Sequence, residues 1–70
     1  MDKDTLEFVT FCIGSLSRTL NLSQKDIYNR LKRSGILDEY IIPSYDVLHT
    51  FGSRYLIADL TSFMKEKGVL

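Results

Sequence analysis

Apolar residues recur every three or four positions in DTLEFVTFCIGSLSRTL, residues 4–20: Leu6, Val9, Ile13, Leu16 and Leu20. That period puts them on one face of an α-helix. Asp4 or Thr5 stands where an N-cap is needed, and Asp4 and Glu7 suit the positive end of the dipole. Gly14 lies inside the pattern at a cost of about 1 kcal/mol against Ala. A glycine there often permits close approach by another element.

A second helix follows in LSQKDIYNRLKRSG. Ser23 is its N-cap, Asp26 lies in the first turn, and Gly35 marks the end, with Lys32 and Arg33 in the last turn. Ile27, Tyr28, Leu31 and Ser34 form the inward side. In ILDEYIIPSYDVLHTFG, Pro43 pushes Ile41 and Ile42 toward extended geometry. A short strand and a single helical turn both fit EYII. Ser44 then caps a short helix carrying Tyr45, Val47 and Leu48, which stops near Gly52. The last pattern, SRYLIADLTSFMKEKG, has Ser53 as N-cap. Its Leu56, Ile57, Leu60, Phe63 and Met64 share an arc of about 120°. Lys65 and Lys67 close it before Gly68, and the final Val69 and Leu70 are expected to tuck against the core.

The expected fold is all-α: one domain, residues 1–70, built as a compact bundle of three main helices, a short fourth and an irregular Pro-containing connection. Its expected core is Leu6, Val9, Ile13, Leu16, Leu20, Ile27, Leu31, Leu48, Leu56, Leu60 and Phe63.

Length and charge narrow the function. Seventy residues bury only about 60% of the surface an unfolded chain exposes, so stability is modest, and a partner or a homodimer would add to it. Nine basic and nine acidic residues cancel, so no net field draws the chain to nucleic acid or membrane. The single Cys12 cannot pair internally, which suits a reducing compartment. No apolar run reaches the length of a membrane span and no signal peptide is visible. These features predict a bacterial-type cytoplasmic protein.

Three groups of residues bear on chemistry. Tyr45, Asp46 and His49 fall at helical spacings that bring them together, and a carboxylate beside an imidazole can hold its tautomer. General acid–base work would also need a pocket and a nucleophile or metal. Cys12 lies mid-helix on the apolar face and reads as a small buried hydrophobe. The competing reading places His49 at a helix end with Tyr45 stacked over it. Second, Lys25, Asn29, Lys32 and Arg33 lie within about 100° on the second helix. They resemble the recognition helix of a helix-turn-helix, although the pI near 6.5 is low for that class. Four polar residues on one side of an amphipathic helix are more often its wet face. Third, Phe8 lies at the margin of the first helix's apolar face and Phe11 off it by more than about 100°. Either that helix packs on two sides, or Phe8 and Phe11, joined by Phe51, form a docking surface of the aromatic kind interfaces favour.

The chain also resembles a family of small bacterial proteins of unknown function. The resemblance rests on LEFVTFCI, LSQKDIYNRLKRSGILDEYI and above all YDVLHTFG, with Tyr45, Asp46, Leu48, His49, Thr50 and Gly52 in place. Many members carry a cysteine where this chain has Ser44. Members of the family are often encoded beside ADP-ribosyltransferase-like proteins, so the resemblance implies an antitoxin-like or accessory partner for such a neighbour. It implies no activity. The expectation is a non-enzymatic protein-interaction module with no cofactor and no metal. The alternative is a DNA binder that uses the basic face of the second helix.

Overall fold

The computed structural model describes residues 1–70. Its first helix, α1, spans Lys3–Leu20 and opens earlier than Asp4 or Thr5: Asp2 is the cap, and its Oδ1 accepts from the Thr5 N–H at 2.8 Å. Asn21 closes α1 in the left-handed region, φ 56°, and its N–H donates to the Ser17 carbonyl. The second helix, α2, spans Gln24–Ser34. Ser23 Oγ accepts from the Asp26 N–H at 3.0 Å, and Gly35 at φ 85° ends it, both as the sequence predicts.

Residues Leu37–Ile41 form a π-helical turn, so EYII is not a strand. Ile42 keeps right-handed helical geometry (φ −68°, ψ −52°) although it precedes Pro43, and its N–H reaches back to the Leu37 carbonyl at 3.1 Å. Burial outweighs the local preference for extended backbone. Ile36, Leu37 and Ile41 are all within the core, and the wide turn turns the last two inward together.

A single turn, α3, follows at Tyr45–Leu48. Ser44 does not cap it through its side chain; its carbonyl accepts from the N–H groups of Val47 and Leu48. The last helix, α4, spans Ser53–Glu66 with Gly52, not Ser53, at the N-cap position. Gly68, at φ 74°, donates to the Lys65 carbonyl, and Val69 to that of Met64. This C-terminal motif folds Val69 into the core and leaves Leu70 outside. Arg30, paired with Asp26 at 2.9 Å, also donates to the Val69 carbonyl and pins the chain end to α2.

The core is Val9, Cys12 and Leu16 of α1, Ile27 and Leu31 of α2, Ile36 with Leu37 and Ile41 of the π segment, Leu48 of α3, then Leu56, Ile57, Leu60 and Met64 of α4, and Val69. Ile13, Leu20 and Phe63 pack at its margin. Leu6, expected inside, is 53% exposed. The buried stripe of α1 runs Thr5, Val9, Cys12, Leu16, and at about 100° per residue its centre lies about 90° from Leu6. Tyr28, expected inward, is also exposed. The π segment packs against α2, and Ile36 and Leu37 are buried.

Candidate functional site

Along α1, Phe11, Ser15, Arg18 and Thr19 follow one another at spacings of four, three and one, so they share a side away from the core stripe. Along α4, Arg54, Ala58, Thr61 and Lys65 share the side that borders the core at Ile57, with Ser53 and Ser62 at the edges. Where the two helices lie beside each other these sides enclose an open groove of about 720 Å³. Its floor is Ile57 and the buried Ser15; Phe11, 44% exposed, stands on one wall. Arg18 folds back over its own helix, its Nη2 3.4 Å from Ser15 Oγ, across the space left by the missing side chain of Gly14.

The groove's charge is one-sided. Three cations line it, Arg18, Arg54 and Lys65, and no carboxylate does. Elsewhere three of the chain's cations are matched: Lys3 with Glu7, Arg30 with Asp26, and Lys32 with Asp38 at 2.8 Å. Of the six cations outside those bridges, three converge here. Arg54 occupies the first turn of α4, which carries no acid, so a positive charge sits at the positive end of the dipole, the less favourable arrangement. Residues that break a local rule without a structural gain are where function is to be sought.

The other predicted residues fall in separate places. The Tyr45 and His49 rings stack, centroids 4.5 Å apart and planes 15° apart, and Phe8 meets Tyr45 edge-on at 5.4 Å. Burial first, then the carboxylates of Asp4, Asp2, Asp46 and Glu7, raise the Tyr45 pKa. His49 and Asp46 are exposed, make no side-chain hydrogen bond with each other, and border no cavity of note. Phe51 packs on Tyr55, centroids 5.1 Å apart. Phe8, Phe11 and Phe51 therefore have different neighbours. Lys25, Asn29, Lys32 and Arg33 are all exposed on α2, but Lys32 is held by Asp38, whose hydrogen bond raises its pKa.

Cys12 is fully buried, and burial pushes its thiol up to about 12. A thiol so placed is a packing group, not a nucleophile. No three His, Cys, Asp or Glu side chains gather to hold a metal. No helix is long and apolar enough to cross a membrane.

Family comparison gives the chain its place. A family model described as Protein of unknown function (DUF3791) matches residues 7–67. The chain belongs to this family. No curated protein and no solved structure matches it. The DUF3791 match takes in Phe11, Arg18, Arg54 and Lys65, so every charged wall of the groove lies within the family domain. It also takes in Phe8, Phe51 and the Tyr45–His49 stack, and leaves Asp2 and the terminal Val69 and Leu70 outside.

Sequence reasoning picked out Phe11 and missed Arg54 and Lys65. The signal for Arg54 was present as an uncompensated cation in a helix's first turn. Lys65 gave no such sign, since a cation in a last turn is what any helix favours.

Proposed function

We propose that this DUF3791 chain is a protein-interaction module of the cytoplasm that binds through the groove between α1 and α4, and that it is not an enzyme. One observation carries the reading: a half-exposed aromatic and three cations without a counter-charge share one concave surface, in a molecule that is neutral overall. Aromatic and arginine side chains are the groups that dominate binding energy at interfaces. The resemblance to proteins encoded beside ADP-ribosyltransferase-like neighbours makes such a neighbour the first partner to try, with this chain in an antitoxin-like or accessory role.

Site-specific crosslinking in the native host tests this. A photo-reactive residue at Thr19 or Ser62, on the groove, is expected to trap a discrete partner, and one at Asn29 on α2 is not. Trapping from Asn29 alone would move the interface elsewhere.

A second reading treats α2 as a DNA-contacting helix. The joint exposure of Lys25, Asn29, Lys32 and Arg33 favours it; the ion pair of Lys32 with Asp38 weakens it by engaging one of the three charges. Absence of any duplex shift at low salt would end this reading.

A further inference from the structure

We infer that the occupant of the α1–α4 groove is an acidic amphipathic helix from another protein. The inference rests on the groove being the binding surface and names what fills it. Arg54 and Lys65 are eleven residues apart on one helix. Eleven residues are about three turns and about 16 Å of rise, so both side chains project to the same side of α4 from opposite ends of the groove. Two cations that far apart cannot close on a single phosphate or carboxylate. They are spaced for a chain of anions, and a helix laid along α4 presents carboxylates at the same interval.

The surface between the charges selects a peptide over a nucleic acid. Phe11 on the wall, Ile57 on the floor and Ala58 give the groove its apolar surface, which suits the apolar stripe of an amphipathic helix lying in a helix-lined groove. Hydroxyls of Thr61 and Ser62 lie beside it on α4 and can meet polar residues at the peptide's margin. A second copy of this chain does not fit. The carboxylates on its three long helices are Asp4 and Glu7 on α1, Asp26 on α2, and Asp59 and Glu66 on α4, and no two on one helix are eleven residues apart.

The test uses the full chain, labelled with 15N, and three synthetic helical peptides of about five turns. One carries Glu at eleven-residue spacing with Leu and Ala between, one has Lys at the same places, and one has Gln. The acidic peptide is expected to shift amide resonances of α1 and α4 around the groove. It should bind at least about tenfold more tightly than the Gln peptide and weaken about fivefold or more from low to high salt, as screened ion pairs do. Arg54→Glu with Lys65→Glu should invert the preference in favour of the Lys peptide, a readout that a misfolded variant cannot give. Equal binding of all three in the groove would overturn the acidic occupant and leave the groove as the interface. Shifts confined to α2 or α3 would overturn both readings. Tighter binding of a single-stranded oligonucleotide than of the acidic peptide, or self-association that competes with it, would overturn the inference.

Discussion

The Tyr40 hydroxyl donates to Asp59 Oδ2 at 2.7 Å, while the Tyr40 ring meets Phe63 edge-on with centroids 5.0 Å apart. One side chain thereby ties the π segment to the outer flank of α4. Tyr40→Phe keeps the ring contact and loses the hydrogen bond. It is expected to cost about 1 kcal/mol, read by urea unfolding, whereas Tyr40→Ala should cost more because the edge contact goes too.

Stability should fall on the alkaline side. The hydrogen bond to Asp59, then burial, push the Tyr40 hydroxyl up to about 12, and burial does the same for the Cys12 thiol. Both groups favour the protonated form when folded. Their contribution is complete below the unfolded values of about 8.5 for Cys and about 10 for Tyr, and is lost as pH rises toward 12. Unfolding free energy should therefore be level near neutrality and decline above about pH 8.5. In Cys12→Ala the onset should move toward about pH 10. An unchanged onset in that variant would remove the thiol from the account.

Two glycines should respond oppositely to alanine. A Cβ on Gly14 would meet only Arg18 Nη1, at an ordinary 3.5 Å, so Gly14→Ala should stabilise by about 0.5–1 kcal/mol. The sequence pattern suggested close approach by another element at Gly14; the only neighbour is this side chain. Gly35 sits at φ 85° with the Glu39 carboxylate in the way of any Cβ. Gly35→Ala should destabilise by about 1–2 kcal/mol. Thermal melts distinguish the two signs.

Leu60 and Leu6 look alike in the sequence and differ in the fold. Leu60 is fully buried and Leu6 half exposed. Leu60→Ala is expected to cost about 2–5 kcal/mol and Leu6→Ala no more than about 0.5 kcal/mol. Chemical denaturation of the pair checks the rotation of α1 described above.

What the sequence made legible was local. Ser23 and Gly35 bracket α2 as predicted because the caps are made by residues three positions apart or fewer. The all-α architecture and most of the α4 core follow from periodicity alone. Leu6 misled because a wheel shows an apolar arc but not where its centre meets the neighbours. The π segment was hidden because Pro43 favours extended backbone locally, while burial of Leu37 and Ile41 is a tertiary effect. The groove was only half visible for a related reason. Phe11 stands out on its own helix, but nothing in a linear pattern says that Arg54 and Lys65 of α4 stand across from it.

Phe11, Arg54 and Lys65, exposed side chains of the groove, are free of structural duty and available to a partner. The most direct test of this is partner capture from host extract by the double variant Phe11→Ala with Arg54→Glu, scored beside its melting temperature. The account predicts that capture is lost while the variant melts within about 4 °C of the parent. Undiminished capture, or a fall in melting temperature like that of Leu60→Ala, would contradict it.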